Sequence, residues 1–300
     1  MTEPTEYHAG FVAFIGRPNV GKSTLTNALV GEKVAITSDK PQTTRRAIRG
    51  IRTTPSGQII VVDTPGLHRP RTLLGQRLND VVDAELDGVD VIAVCLPADE
   101  KIGPGDRRII EQATRHPRAK RLALLTKVDK VSRDEIAQRL IEIDQLDDWQ
   151  TIVPVSAVTD DQVDVVIDEL LRLLPPSEQL YATETHTEET SSQRIAELIR
   201  ESLLDGTRDE LPHSLAVVVD DIEQPEEGQR KVRVFASVFV ERDSQKGIVI
   251  GHKGQRLKAA GISARGKIEQ LLGQPVHLDL RVKVAKEWQR DPKLLDRLGF

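Results

Sequence analysis

The sequence predicts an α/β protein in which a mostly parallel sheet, with helices on both faces, is followed by a smaller α+β domain. Apolar runs alternate with segments of helical periodicity as far as about residue 174, a pattern typical of parallel sheets. A phosphate-loop pattern joins the first strand to the first helix. A segment rich in Pro, Thr, Ser and Glu at 175–192 separates two parts of different charge, so we predict domains at 1–176 and 193–300 with a linker at 177–192.

Length and composition indicate a soluble intracellular protein of about two domains. The 300 residues are 38% hydrophobic and 30% charged, and the single cysteine, Cys95, lies in an apolar run where we interpret it as buried. One cysteine excludes an internal disulfide and is typical of the reducing cytosol. Since no apolar run spans a bilayer and the N-terminus lacks a signal core, we expect neither secretion nor membrane spanning.

The charge distribution points to a polyanionic partner for the C-terminal quarter. Residues 229–300 contain 16 Lys and Arg against 7 Asp and Glu, a balance of +9 within a chain of net charge −5. Such asymmetry is an argument about association rather than about fold.

The first functional pattern lies between an apolar strand at 11–15 and a predicted helix at 24–30. It consists of Gly16, Arg17, Pro18, Asn19, Val20, Gly21, Lys22 and Ser23. Glycines let the backbone pass close to phosphate oxygens, and the following helix directs its positive end there. Lys22 supplies a charge for the β- and γ-phosphates, and Ser23 can place its hydroxyl on Mg²⁺. A glycine turn beside a solvated lysine is the alternative.

Two more candidate ligands follow the loop. Thr44 lies in a polar segment at 31–46 and can complete a Mg²⁺ shell while a γ-phosphate is present. A predicted hairpin, 47–53 with 58–62, ends at Asp63, which can hold Mg²⁺ through water, and Gly66 lets a backbone N–H reach the γ-phosphate. Taken alone, Thr44 would be a surface residue and residues 63–66 an ordinary turn.

The remaining elements of the first domain alternate. We predict strands at 89–96, 121–126 and 151–156, and helices at 105–116, 133–146 and 161–174. Because ligands on such sheets lie outside the carboxyl ends of the strands, the residues after the last two strands are candidates for base recognition. Asp129 could accept both N1–H and N2–H₂ of guanine, which adenine does not offer, and the Ala157 N–H, after Ser156, could reach guanine O6.

The second domain begins with a helix from about 194 and continues with strands at 214–222, 231–240 and 276–284. A charged turn at 223–228 separates the first two strands. Trp288 is interpreted as a core contact, with base stacking as the alternative.

A G-x-x-G loop lies between two predicted helices of this domain. Such a loop lets a nucleic-acid backbone approach closely, with donors, charges and apolar side chains beside it. The candidate RNA contacts are Ile248, Ile250, Gly251, His252, Lys253, Gly254, Arg256 and Lys258. Its position in the basic segment favours RNA, and not DNA, over the alternative of a helix–turn–helix within a core.

Five motifs in this spacing resemble those of the translation-factor class of GTPases: in order, residues 16–23, 42–45, 63–66, 126–129 and 156–157. Nearly the whole chain resembles the Era-type family. The resemblance implies a P-loop G domain followed by a type II KH domain, with GTP/GDP and Mg²⁺ as cofactors. It also implies further nucleotide contacts from Thr24, Thr64, Pro65, Leu67, Thr126, Lys127, Val128 and Val158.

Three positions carry mechanistic expectations from the family. The fourth motif normally begins with Asn, which contacts guanine N7 and braces the phosphate loop. Thr126 stands there, so weaker guanine affinity is expected. Leu67 occupies the position of the catalytic glutamine of Ras-like proteins and has no polar atom to orient water. The family assigns Asn19 to K⁺, which implies slow hydrolysis that K⁺ stimulates, with a turn-forming role as the alternative.

The family also implies a partner and a location. The expected partner is the 3′ end of small-subunit ribosomal RNA, in a 30S precursor, and the expected protein is a cytoplasmic monomer. Some members contact membranes peripherally, which makes peripheral attachment to the inner face of the cell membrane the alternative location. A nucleotide-gated RNA scaffold with negligible turnover is the alternative function. A tRNA-modification GTPase is disfavoured because Cys95, the only cysteine, is not near the C-terminus.

Overall fold

The computed structural model describes residues 6–38, 40, 43–67, 70–205, 214–225 and 230–300. The chain divides into two compact units, one made mainly of residues up to Glu188 and the other mainly of residues from Glu189 onward. This division falls within the segment predicted as a linker. Each unit has a hydrophobic core of its own.

The first unit contains a six-stranded sheet in the order β2-β3-β1-β4-β5-β6. Only the β2–β3 pair is antiparallel, as expected for the predicted hairpin, and the other neighbours are parallel. The strands are β1 His8–Ile15, β2 Ile48–Thr54, β3 Gly57–Asp63, β4 Val91–Pro97, β5 Lys120–Thr126 and β6 Thr151–Pro154.

Helices cover both faces of this sheet. In β1, Val12 and Phe14 belong to one buried cluster with Leu25 and Leu29, whereas Ala13 and Ile15 belong to the opposite one. Alternation places successive side chains on opposite faces, so a continuously apolar strand needs cover on both, which confirms the predicted fold. The helices are α1 Lys22–Val30, α2 Leu73–Leu86, α3 Pro104–Thr114, α4 Arg133–Asp144 and α5 Val163–Leu173.

The segment after α5 runs along the first unit. The Gln58 side chain is fully buried, and its Oε1 accepts hydrogen bonds from the backbone N–H groups of Leu180 and Tyr181, each at 2.9 Å. Gly50 of β2 forms an isolated bridge with Thr187. Residues 177–188 are therefore held against the unit that precedes them.

The second unit contains a three-stranded sheet in the order β7-β8-β9. The β7–β8 pair is antiparallel and the β8–β9 pair parallel, in the strand–strand–helix–loop–helix–strand order predicted. Its elements are α6 Ser191–Leu204, β7 Ala216–Glu223, β8 Val232–Val240, α7 Asp243–Ile250, α8 Gln255–Leu272, β9 Val276–Val284 and α9 Pro292–Leu298. Part of the predicted turn at 223–228 lies outside the described residues.

The core of the second unit lies between the sheet and its helices. Alternate residues of β8, from Val232 to Val240, are buried together with Ile199 of α6 and Ile268 of α8. Trp288 is fully buried and donates from Nε1 to the Ser214 carbonyl at 3.0 Å, so its interpretation as a core residue is confirmed. Among the described residues, no helix has the length and apolarity needed to cross a bilayer.

Candidate nucleotide and nucleic-acid sites

The phosphate loop follows β1 and leads into α1, where the positive end of the helix favours an anion. A Cβ atom at position 16 would lie 2.8 Å from the Cys95 carbonyl oxygen, and Gly21 has a φ of 103°. Both positions therefore require glycine, the first for space and the second for its left-handed backbone. Asn19 is also left-handed, with a φ of 64°, and its side chain is exposed.

Lys22 is folded into this loop. Its side chain is buried, and its Nζ donates to the carbonyls of Gly16 and Arg17 at 3.2 and 3.1 Å. Burial lowers the pKa of the Lys22 ammonium, and the nearby Asp63 carboxylate opposes that shift. An ammonium held by two neutral carbonyls in a buried site is a strong partner for phosphate oxygens.

The three predicted Mg²⁺ ligands converge although they come from separate parts of the chain. Ser23 Oγ lies 2.9 Å from Thr44 Oγ1 and donates to Asp63 Oδ2 at 2.7 Å. Thr44 Oγ1 donates to the same carboxylate oxygen at 3.3 Å. Two hydroxyls and one carboxylate form the kind of oxygen cluster that Mg²⁺ prefers beside a nucleotide.

Asp63 provides the test of whether this cluster fits a cation. The residue is fully buried, and its Oδ1 has no hydrogen-bond partner. Burial raises the pKa of the Asp63 carboxyl, whereas the Lys22 charge and the two hydroxyl donors lower it. A buried acceptor without a donor is costly, and the water shell of a bound cation would supply one. The residues therefore fit Mg²⁺.

The third motif packs directly on the phosphate loop. Thr64 Oγ1 donates to the Phe14 carbonyl at 2.6 Å, and the Leu67 N–H donates to the Gly16 carbonyl at 3.2 Å. A Cβ atom at Gly66 would lie 2.8 Å from the Pro18 Cα, so only glycine allows this approach. Pro65 and Leu67 are buried as well.

Thr126 supplies the loop brace that the missing asparagine was expected to provide. Its Oγ1 donates to the Val20 carbonyl at 2.6 Å, and the Leu96 carbonyl lies 3.3 Å away. Thr126 is 4% exposed. Because a hydroxyl has a single proton, the brace leaves Thr126 no donor for guanine N7. Since Thr126 keeps the brace, the expected weakening of guanine affinity rests on the N7 contact alone.

The fourth and fifth motifs, which were predicted to recognise the base, meet through one hydrogen bond. Ser156 Oγ donates to Asp129 Oδ1 at 2.6 Å, with Ser156 fully buried and Asp129 exposed. This contact orients the carboxylate, a role for Ser156 that the sequence analysis missed. Close by, Val128 is buried, Lys127 has a φ of 58°, Ala157 is half-buried and Val158 is 76% exposed.

Two other residues were not fully anticipated. Asn27 of α1 accepts from the N–H groups of Val34 and Ala35, each at 2.9 Å, and so fixes the beginning of the loop that carries Thr44. Arg17, predicted as a nucleotide contact, directs its guanidinium to Glu100 and Asp106. The Arg17 contacts span more than 80 residues, so no local sequence pattern indicates them. Thr24, in the first turn of α1, is half-buried.

The G-x-x-G loop of the second unit forms a tight turn between α7 and α8. Gly251 and Gly254 have φ values of 71° and 77°, and Lys253 between them has 49°. A Cβ atom at Gly251 would lie 2.7 Å from the Arg256 Cβ. The two glycines therefore permit a backbone path that other residues would strain.

Cationic and apolar side chains surround this turn. His252, Lys253 and Lys258 are exposed, and Ile248 is 50% exposed. Ile250 and Arg256 are half-buried, and Arg256 Nη2 is buried without a hydrogen-bond partner. The predicted RNA contacts thus lie together on one end of the helix pair.

Two family models match separate parts of the chain. Residues 11–127 match the family model described as 50S ribosome-binding GTPase, and residues 210–289 match the KH domain model. The GTPase Era of Mycobacterium avium is 58% identical over 298 residues, covering 99% of this chain and 100% of that protein. The GTPase Era of Mycobacterium tuberculosis is 57% identical over 299 residues, with the same coverage.

Solved structures show the same architecture. Aquifex aeolicus Era bound to GDP·AlF4⁻ has a TM-score of 0.93 and 34% identity, covering 97% of this chain and 99% of that one. A structure of Era with MgGDPNP and nucleotides 1506–1542 of 16S ribosomal RNA has a TM-score of 0.94 and 34% identity, covering 98% and 99%. With its G domain, its KH domain and full-length identity to these relatives, the chain belongs to the Era family of GTPases.

Proposed function

We propose that this chain is a GTP-hydrolysing switch that binds Mg²⁺ and GTP in its first unit and the 3′ segment of 16S ribosomal RNA in its second. The proposed task is assembly of the small (30S) ribosomal subunit. The observation that carries the nucleotide half is the convergence of Ser23 and Thr44 on Asp63, whose Oδ1 has no partner.

The residues of the nucleotide site have separate roles in this proposal. Ser23 and Thr44 would hold Mg²⁺ through their hydroxyls, and Asp63 would hold it through a water molecule. Bound Mg²⁺ would neutralise charge on the β- and γ-phosphates. Lys22 exchanges its loop carbonyls for phosphate oxygens, and the Gly66 N–H orients the γ-phosphate. Asp129, held by Ser156, selects guanine.

Thr44 makes the site responsive to the γ-phosphate. It lies in the segment between α1 and β2, and its hydroxyl contacts the Ser23 and Asp63 side chains. With GTP bound, the Thr44 hydroxyl would have both the cation and the γ-phosphate nearby. Hydrolysis and phosphate release would remove the γ-phosphate. Segments ordered in this way are a common basis of GTPase switching.

K⁺ is the proposed activator of hydrolysis. Leu67 has no polar side-chain atom to orient water, so charge developing between the β- and γ-phosphates needs another source of stabilisation. Asn19 is exposed in the middle of the loop, and its exposure supports the assignment of K⁺ to this residue. We expect faster phosphate release in K⁺ than in Na⁺, with the difference abolished by Asn19→Ala. Equal rates in both salts would contradict this role.

The RNA half of the proposal rests on the G-x-x-G loop. Its glycines allow a phosphate backbone to come close, while His252, Lys253 and Lys258 offer charge and Ile248 an apolar surface for bases. The related Era structure contains nucleotides 1506–1542 of 16S ribosomal RNA, which supports the same class of RNA for this chain.

Phosphate release from GTP, with and without an RNA oligonucleotide of the 16S 3′ end, tests the function. The proposal predicts measurable release alone and binding of the RNA that depends on the nucleotide. Lys253→Ala, in the turn before α8, should weaken RNA binding. Arg265→Ala, an equal change of charge within α8, should not. Nucleotide-dependent RNA binding without turnover would favour the scaffold alternative.

Location and assembly state belong to the proposal too. A cytoplasmic monomer suits a factor that binds ribosomal RNA. Peripheral contact with the inner face of the cell membrane rests on the family alone, and cosedimentation with anionic vesicles tests it.

A further inference from the structure

The segment between β4 and α3, together with the first turn of α3, contacts the phosphate loop. This part of the chain contains none of the five nucleotide motifs. Arg17 Nε donates to Asp106 Oδ1 at 2.7 Å, and Arg17 Nη2 donates to Glu100 Oε2 at 2.9 Å. One guanidinium therefore joins the phosphate loop to two carboxylates more than 80 residues away in the sequence.

The carboxylate of Asp106 is held in place by contacts that do not involve Arg17. Its side chain is 2% exposed, and its Oδ2 accepts from the Gly103 N–H at 2.9 Å, at the beginning of α3. A Cβ atom at Gly105 would lie 2.9 Å from the Arg17 Cδ, so the arginine stem lies directly on the helix start. The hydrogen bond is therefore charge-assisted, and its acceptor is already held in place, although the Arg17 side chain is 29% exposed.

The segment that carries these carboxylates is anchored on its other side. The Ala98 N–H donates to the Thr126 carbonyl at 2.8 Å, and Asp99 forms an ion pair with Lys130 at 3.2 Å. Glu100 and Asp106 therefore extend from a segment attached to β5 rather than from a free loop.

Arg17 in turn contacts the lysine that meets the phosphates. Its carbonyl oxygen is one of the two that Lys22 Nζ contacts, at 3.1 Å. Moving the Arg17 backbone would therefore move a partner of the Lys22 ammonium. A displacement of this kind alters phosphate binding and leaves the base site, at Asp129 and Ser156, in place.

We propose that Asp106 and Glu100 are positioning residues for GTP binding and hydrolysis, which hold the phosphate loop in its phosphate-accepting shape through Arg17. Neither carboxylate belongs to the five nucleotide motifs, and their role rests on the function proposed above for those motifs. Their effect is confined to the phosphate end of the ligand, which distinguishes positioning from a general contribution to folding.

Asp106→Asn tests this directly. Asparagine keeps the volume and can still accept from Gly103, but it loses the negative charge facing Arg17. We expect GDP to bind about tenfold more weakly, as for loss of one charged hydrogen bond, with guanosine affinity unchanged because guanosine has no phosphate. Glu111→Gln is the matched control, since it breaks an exposed ion pair with Arg115 on the same helix.

A double-mutant cycle completes the test. If Asp106 acts through Arg17, then Arg17→Gln combined with Asp106→Asn should weaken GDP binding no further than Arg17→Gln alone. Unchanged GDP affinity in Asp106→Asn, an equal loss for guanosine, or additive losses in the cycle would each overturn the proposal. Should Asp106→Asn fail to fold, Glu100→Gln takes its place in the same cycle.

Discussion

Replacing Thr126 with valine removes one hydroxyl from the phosphate-loop brace and leaves the side-chain volume nearly unchanged. The Val20 carbonyl then loses a donor that lies 2.6 Å away, in a site where Thr126 is 4% exposed. Replacing Thr126 with asparagine should instead raise the affinity for GDP, because an amide has two donor hydrogens. One can keep the brace and the other can face guanine N7.

The expected sizes follow from the number of hydrogen bonds changed. Leaving a buried acceptor unpaired costs about 1–3 kcal/mol. Since the loop can relax part of that cost in the nucleotide-free protein, we expect Thr126→Val to weaken GDP binding about tenfold, which is about 1.4 kcal/mol. For Thr126→Asn, one added hydrogen bond of about 0.5–1.5 kcal/mol predicts affinity roughly two- to tenfold higher.

Calorimetric titration of both variants with GDP and Mg²⁺ measures these changes. Thr114→Val is the control, because its hydroxyl donates to the Glu111 carbonyl at an exposed position far from the loop. Thr126→Val with the affinity of the wild type would refute the brace. Thr126→Asn with no gain would refute the view that an N7 donor is what this chain lacks.

Other parts of the molecule make independent predictions. Ser23→Ala should weaken Mg²⁺-dependent binding of both GDP and GDPNP, whereas Thr44→Ala should weaken GDPNP alone; fluorescence titrations in which both variants affect both nucleotides equally would contradict the switch role of Thr44. Gly251→Ala should lower the melting temperature more than Gly254→Ala. Gly254 is left-handed, with φ 77° and ψ 7°, which costs alanine about 1 kcal/mol. Gly251, with φ 71° and ψ 176°, lies in a region essentially restricted to glycine, and its Cβ would also lie 2.7 Å from the Arg256 Cβ; equal shifts would contradict this. Burial raises the pKa of the Cys95 thiol to about 12, so only about one thiol in ten thousand is ionised at pH 8 and labelling by a thiol reagent should await unfolding; rapid labelling of the folded protein would show otherwise.

The elements that carry motifs could be predicted from local patterns. The predicted strand at 276–284 matches β9 in both bounds. Helix α2 was missed because Gly75 and several polar residues interrupt its apolar positions, although Leu74, Leu78, Val82 and Leu86 recur every four residues and all are buried. Helix α9 was also missed, despite Asp291 and Pro292 at its start and Gly299 after its end.

The part of the candidate site that consists of motif residues at known spacing could be predicted from the sequence. The convergence of Ser23 and Thr44 on Asp63 follows from motif spacing and strand order. The brace from Thr126 to Val20 and the contact from Arg17 to Asp106 do not, because each depends on where the β-strands place side chains that are about 90 or more residues apart. Local sequence periodicity does not indicate which residues so far apart in the chain come into contact.

Phosphate release from GTP and from ATP, compared in the wild type and in Asp129→Asn with Mg²⁺ and K⁺ present, tests most directly whether this site binds and hydrolyses a guanine nucleotide. The wild type should release phosphate from GTP and very little from ATP, and the variant should lose that preference by a large factor because its side chain no longer accepts both guanine donors. Equal release from ATP and GTP by the wild type, or an unchanged preference in the variant, would contradict the assignment.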